Sequence, residues 1–272
     1  MVRTSYSQKI VFALAGWLVV GAFMLPFLWM VVGSFKTTLD FLSYPPVWLF
    51  SPTLDNYRQV FVDNTFLHYL LNSTIVAVGS TVVGLVLGTP AAYALARWRR
   101  TAIGVALLAA RMAPGIAFLI PLFVLFLELH LVGSYTSLIA SHLIFTLPLT
   151  VWMMVGFIEA MPVELEHAAL VDGCSILGVL LRIVVPLTSQ GIAATSIIAF
   201  IASWNNFLFA LVLSNEQTKT LPVAVLGYIG YTSIQWGAMM AAASIITLPV
   251  LVLALCVQRY IVQGLMTGAV SG

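Results

Sequence analysis

The chain has 272 residues, 61% hydrophobic and 7% charged, with a mean hydropathy of +1.07 and a formal net charge of +2. Soluble domains carry about 25% charged residues, so this composition excludes a water-facing surface over the whole molecule. The small net charge, with Arg97, Arg99 and Arg100 as the one basic cluster, excludes a nucleic-acid partner.

A helix needs roughly 20 apolar residues to cross the hydrocarbon of a bilayer. Six runs meet that need, at about 10–32, 68–95, 102–127, 136–158, 189–213 and 236–258. They predict an all-α, polytopic fold with one transmembrane domain over 1–272, an inner loop at 159–188 and an inner tail at 259–272. The first run is longer than a signal-peptide core and no small-residue cleavage site follows it, so it reads as a span that stays. With the N-terminus inside, Arg3, Lys9, Arg97, Arg99, Arg100, Arg182 and Arg259 lie on inner segments and Lys36, Arg58 and Lys219 on outer ones. Basic residues gather on the cytoplasmic side of membrane proteins, which predicts both termini in the cytoplasm. Cys174 and Cys256 then fall on that side and predict free thiols.

The first outer loop, 34–67, is proline-rich and aromatic over 44–52. Thr53 to Tyr57 reads as a helix start capped by Asp55 or Asn56. Two readings fit the loop: an interfacial aromatic belt, or a docking surface for an external protein. The second span carries Asn72, Ser73, Thr74, Ser80 and Thr81 with Gly79, Gly84 and Gly88, small and hydroxyl residues that let helices pack closely in lipid. The third holds Arg111, roughly 13–15 Å from the inner border at 1.5 Å per residue. A charge at that depth is expensive. Either it snorkels to the inner face, or it meets water, backbone carbonyls freed by Pro114, a sister subunit or a substrate. His142 in the fourth span reads as a packed, hydrogen-bonded side chain. The four histidines share no metal spacing, and no metal site is expected.

Four of the nine acids, Glu159, Glu164, Glu166 and Asp172, fall in one inner stretch that reads as helix, turn, helix. Pro162 suits the first helical position. Glu164 and Glu166 suit a positive first turn. Asp172 and Gly173 close the helix, because glycine takes the left-handed cap conformation. Ser175 caps a second helix from Ile176 to Ile183, and Pro186 ends it. In the fifth span, Trp204, Asn205, Asn206 and Phe207 combine amides with flat apolar faces. That combination suits a sugar, or else hydrogen bonds between helices. The last outer loop, Ser214 to Gln235, carries Tyr228 and Tyr231. The tail residues Gln263, Gly264, Leu265, Thr267 and Gly268 alone would read as a frayed end. No phosphate-binding glycine loop occurs, so the chain is not expected to hydrolyse ATP. Nor does any serine-hydrolase or zinc-protease motif suggest an enzyme.

The stretch 161–186 resembles the EAA loop of ABC importer permeases, whose pattern is Glu-Ala-Ala, three residues, Gly, nine residues, Ile, one residue, Leu-Pro. Here His167, Ala168, Ala169, Gly173, Ile183, Val185 and Pro186 keep every spacing, with His167 in place of Glu and Val185 in place of Leu. Ser34, Lys36, Pro45, Pro46, Trp48, Asn56 and Tyr57 resemble the first outer loop of the carbohydrate class, which includes the maltose and glycerol-3-phosphate importers. Arg111 to Pro114 with Pro121 and Leu122 is similar to a pattern of disaccharide and polyol importers. Trp204 to Ala210 is similar to the Trp-Asn-acid-Phe-Leu-Phe-Ala segment of the class, with Asn206 at the acidic position.

The resemblance implies a type I ABC importer permease for a disaccharide, oligosaccharide or polyol, or for a non-sugar solute such as glycerol-3-phosphate. Glu164, Glu166, His167, Ala168, Ala169, Asp172, Gly173, Ile183 and Pro186 would then form the ATPase-coupling element. The tail would contact the ATPase. Arg111, Trp204 to Phe207, Tyr228 and Tyr231 would be candidates for the substrate path. The implied partners are a homologous second permease, two ATPase subunits, an extracytoplasmic substrate-binding protein and the lipid bilayer. No cofactor is implied on this chain, with ATP and Mg on the partner ATPase. An ion-coupled secondary transporter is the more remote reading. It would need buried acids, and only Glu128, near an outer end, stands close to a span.

Overall fold

The computed structural model describes residues 6–62, 65–98, 113–231 and 233–269, plus single positions 102, 104, 106 and 109, with backbone alone at 6–7 and 258–269. In lipid every backbone polar group must be satisfied within the segment, which leaves the helix as the form for an isolated apolar run. The described residues accordingly hold helices and no strand, only an isolated bridge between Ile229 and Ile234. The helices are α1 (Tyr6–Ser34), α2 (Thr38–Leu42), α3 (Asp55–Val62), α4 (Thr65–Trp98), α5 (Ile116–Glu128), α6 (Tyr135–Glu159), α7 (Glu164–Val171), α8 (Ile176–Leu187), α9 (Ser189–Trp204), α10 (Leu208–Leu213), α11 (Leu221–Ala224) and α12 (Trp236–Ala269).

Among the described residues, four helices are long and apolar enough to cross a membrane: Gln8–Ser34, Thr65–Trp98, Tyr135–Glu159 and Trp236–Val257. A fifth span results if α8 and α9, bent by 79°, count as one. The predicted run 102–127 contributes α5, which is shorter. Arg111 lies outside the described residues. The predicted run 189–213 is not one helix: it breaks at 205–207, between α9 and α10. The last candidate span is Trp236–Val257, and α12 stays helical beyond it, through Ala269, and so takes in Gln263, Gly264, Leu265, Thr267 and Gly268.

The chain forms two compact units. The first comprises Met1–Phe66 and Val225–Leu248. In it, the loop after α1 folds back on the helix end. Lys36 is 2% exposed, and its ammonium donates to the Val47 carbonyl at 2.6 Å and lies 5.1 and 5.0 Å from the ring centres of Trp29 and Phe50. Asn56 donates to the carbonyls of Ser34 and Lys36, both at 2.8 Å. Asn56 is therefore a staple across the loop and not a helix cap, and Asp55 is the first helical residue of α3. A side chain at Gly237 would strike the Asn56 amide, so α12 comes close enough there to require glycine. Part of the aromatic loop remains outside: Tyr44 and Trp48 are exposed.

The second unit comprises Leu67–Ala224 and Pro249–Gly272. Its α4 and α6 pack through the predicted small-residue stripe. A Cβ at Gly79 would lie 2.6 Å from Ile139, and one at Gly88 would lie 2.8 Å from Thr150. At one end of α4, Asn72 donates to the carbonyls of Gln217 and Lys219, both at 2.9 Å, and accepts from the Tyr135 hydroxyl at 2.6 Å. His68 lies 2.6 Å from the Gln217 carbonyl, and Ser73 accepts from the Leu221 amide at 2.8 Å. In mid-bundle His142 is buried, its Nδ1 2.7 Å from the Ser203 hydroxyl, which accepts from Ser80 at 2.8 Å. That matches the reading of a packed histidine.

Candidate functional site

At the other end of α4, Ala92 and Ala96 join Val151, Met154 and Ile158 of α6, with Met161, Ala169 of α7, and Val179, Leu180 and Val184 of α8, in one apolar cluster. This cluster roots the segment 159–188 in the bundle. α7 begins at Glu164, so Pro162 precedes the helix instead of opening it. Glu164 and Glu166 do fall in its first turn. At its far end Gly173 has φ +87°, the Gly173 amide donates to Leu170 and the Cys174 amide to Ala169, both at 3.0 Å. This paired closure is the left-handed cap expected of Asp172 and Gly173. Ser175 then accepts from the Gly178 amide at 3.2 Å and starts α8.

α8 runs past Ile183. Pro186 lies inside its last turn and does not end it. A proline there has no N–H for the Arg182 carbonyl. Just before it the helix widens to a π form over Leu180–Val184, with the Val185 amide donating to Leu180. π turns of this kind relieve such mismatches and concentrate at functional positions. The chain bends at Thr188, whose hydroxyl donates to Val184 at 2.7 Å.

The faces of α7 divide sharply. Ala169 and Glu166 point inward; Glu164, His167, Ala168, Asp172 and Gly173 are exposed. Ile183 is half-buried and Pro186 exposed. The outward face is also apolar: Val171 is 87% exposed, Ile176 56% and Leu177 62%, with Leu165 and Leu170 beside them. Glu166 is 3% exposed. One carboxylate oxygen accepts from Arg97 Nε at 2.8 Å and lies 2.6 Å from Arg97 Nη2; the other accepts from the Tyr93 hydroxyl at 2.9 Å. Arg97 Nη2 also donates to the carbonyls of Ile158 at 2.9 Å and Met161 at 3.3 Å. Sequence spacing hid this arrangement, since Arg97 and Tyr93 sit on a different helix. The only signal was an acid one residue before the His-Ala-Ala triplet, a step of about 100° around a helix.

The candidates of the fifth run sit at the break between α9 and α10. Trp204, the last residue of α9, is buried and stacks on Phe200 at 5.5 Å. Asn205 and Phe207 are exposed. Asn206 accepts from the Phe209 amide at 3.2 Å and so caps α10. Tyr228 and Tyr231 belong to the other unit; Tyr231 is exposed. Among the described residues no three His, Cys, Asp or Glu side chains gather as a metal set, and Cys174 and Cys256 are free.

Residues 84–267 match the family model described as binding-protein-dependent transport system inner membrane component. The chain is 35% identical over 268 residues to the trehalose/maltose transport system permease protein MalG of Thermococcus litoralis, covering 94% of this chain and 96% of that one. It is 36% identical over 254 residues to the sulfoquinovosyl glycerol transport system permease protein SmoH of Agrobacterium fabrum, covering 92% and 89%. Its fold is similar to a chain in the crystal structure of a bacterial ABC transporter involved in the import of the acidic polysaccharide alginate, with a TM-score of 0.76, 21% identity and 96% and 99% of the two chains covered. The apolar helices, the rooted helix–turn–helix and these matches agree: this multi-pass membrane chain belongs to the family of inner membrane components of binding-protein-dependent transport systems.

Proposed function

We propose that the chain is the permease subunit of an ATP-driven sugar importer, forming half of the translocation path. The observation that carries this reading is the segment 164–177. It is rooted by an apolar cluster and by an ion pair whose carboxylate, Glu166, is buried, yet it turns Leu165, Leu170, Val171, Ile176 and Leu177 outward. An exposed apolar patch on a fixed element marks a protein interface. The partner it fits is a cytoplasmic ATPase, with Glu164, His167, Ala168, Asp172 and Gly173 on the docking side. Closure of two ATPases around ATP and Mg would push α7 and switch the path between its inward and outward states. The tail Gln263, Gly264, Leu265, Thr267 and Gly268 would meet the same ATPases, and both termini would lie in the cytoplasm. A homologous second permease would complete the path, and an external binding protein would deliver the solute.

A sugar is favoured because relatives carry trehalose/maltose and sulfoquinovosyl glycerol transport in their names. The break at 205–207 offers neutral amides and an exposed phenyl ring, groups that suit hydroxyls and a flat sugar face more than a phosphate. Asn205 and Phe207 would face the solute, with Asn206 and Trp204 shaping the break. Tyr228, Tyr231 and Arg111 are the further candidates. The test is purification of the tagged chain from its native membrane, then reconstitution and an uptake assay over a sugar panel. An ATPase chain should co-purify, and ATP should drive uptake of a neutral sugar. Recovery without any ATPase, or uptake driven by an ion gradient alone, overturns the reading.

A further inference from the structure

Arg97 holds three elements at once. Its backbone belongs to α4, its Nη2 reaches the Ile158 and Met161 carbonyls at the end of α6, and its fork grips Glu166 of α7. Tyr93, one turn earlier on α4, takes the second Glu166 oxygen. The apolar cluster around this lock also joins α4, α6, α7 and α8, but apolar contacts are non-directional and permit sliding. A charge-assisted hydrogen bond fixes both distance and direction. Burial sharpens the point, because separating the pair would leave a charge with no partner.

We propose that Arg97, Glu166 and Tyr93 are positioning residues for transport: a strut that makes α7 move as one body with the Arg97 end of α4 and with α6. This rests on the reading of 164–177 as the ATPase-docking element. Glu166 thus works inward, while Glu164, His167 and Asp172 face outward. Displacement of α7 by a docked partner is handed to two membrane helices through one carboxylate. Without the strut, α7 would still dock but would slide on the apolar cluster, so ATP would be spent without moving the path.

The test uses two readouts on the full chain carrying Cys174→Ser and Cys256→Ser. Spin labels on Val171→Cys and Trp98→Cys, both exposed, report the separation of α7 and α4 in lipid nanodiscs with and without the ATPases; Val171 lies on the docking patch, so only labelled chains that still co-purify with the ATPases are compared. Solute moved per ATP is measured on the reconstituted complex, per assembled complex. Wild type should give one narrow separation that nucleotide does not change. Glu166→Gln keeps the shape but not the charge. It should broaden the separation and lower solute per ATP by about tenfold or more, with ATP hydrolysis retained. Arg97→Lys, whose single ammonium cannot span Glu166 and both carbonyls, should give a smaller loss of the same kind and serves if Glu166→Gln does not assemble. A merely structural role predicts poorer yield with unchanged solute per ATP in the complexes that form, and that result overturns the strut. So does a narrow separation with lost coupling, or a broad one with coupling intact. If wild type moves no sugar, the importer reading fails, and the label separation alone still decides whether α7 and α4 move together.

Discussion

The two ends of α4 hold neighbouring loops by different means. At the Asn72 end, a neutral amide, a hydroxyl and an imidazole engage backbone atoms of Gln217, Lys219 and Leu221. At the Arg97 end, a guanidinium and a phenol engage one side-chain carboxylate, Glu166. Backbone-directed bonds fix the path of a loop whatever its side chains are. Side-chain pairing makes attachment depend on a single residue and on its charge. The Asn72 end therefore shapes a loop, whereas the Arg97 end holds a lever that one substitution can release.

The largest effect is expected from Arg97→Ala. It strips Glu166 of its charge partner inside the protein, and removing one member of a buried pair costs about 3–5 kcal/mol. Thermal unfolding in detergent should show a large loss, partly recovered in Arg97→Ala/Glu166→Gln because the orphaned charge is gone. A double variant no more stable than Arg97→Ala would show that the charge was not what the arginine compensated. Asn72→Ala comes next. It removes two donors to carbonyls and the acceptor of Tyr135, with an expected cost of about 1–3 kcal/mol. Its mark should be local: faster proteolysis within 214–220, with the Arg97 end unaffected.

Much of this was legible in the residues. Uncharged apolar runs marked the helices, because lipid leaves the backbone no other partner. Asp172, Gly173 and Ser175 marked the turn, because caps are short-range chemistry. What escaped was long-range or compensated. Glu166 looked like one more acid in a first turn, since its partner Arg97 lies on another helix. Pro186 looked like a stop, and a π turn absorbs it. Asn56 looked like a cap and is a staple to Ser34 and Lys36. The break at 205–207 was hidden in a run apolar enough overall to read as one span, although Asn206, which accepts from the Phe209 amide at the start of α10, was visible as an amide out of place.

At the Arg97 end, Gly173 separates the effect of backbone shape from that of charge. Nothing lies within 4 Å of a Cβ built there, so the cost of a side chain is its φ of +87° alone. Left-handed backbone costs an ordinary residue about 1–2 kcal/mol, while asparagine visits it readily. Gly173→Val should open the cap and speed hydrogen exchange of the Cys174 amide, which donates to Ala169. It should also uncouple ATP hydrolysis from transport while the chain stays in the membrane. Gly173→Asn should keep slow exchange and coupling. Equal behaviour of the two variants would show that the cap conformation does not matter.

The smallest effect is expected from the charges that the Asn72-end loop carries itself. Lys219 Nζ donates to the Glu216 carboxylate at 2.6 Å, and the Tyr69 hydroxyl is 3.5 Å from it. Lys219, by hydrogen bond and by charge, holds the Glu216 carboxyl below its usual range. A depressed carboxyl contributes stability above its unfolded value and loses it as pH falls through the folded one, so any contribution is complete at neutral pH and fades only in acid. Glu216 is exposed, however, and water screens an exposed pair to little net value. Glu216→Gln should therefore shift stability by less than about 0.5 kcal/mol. Glu216→Gln should leave the loop as resistant to protease as wild type, because the bonds that hold it run from Asn72 and Ser73 to its backbone. A loop loosened by Glu216→Gln as much as by Asn72→Ala would mean that side-chain charge holds both ends of α4, and the contrast between them would be lost.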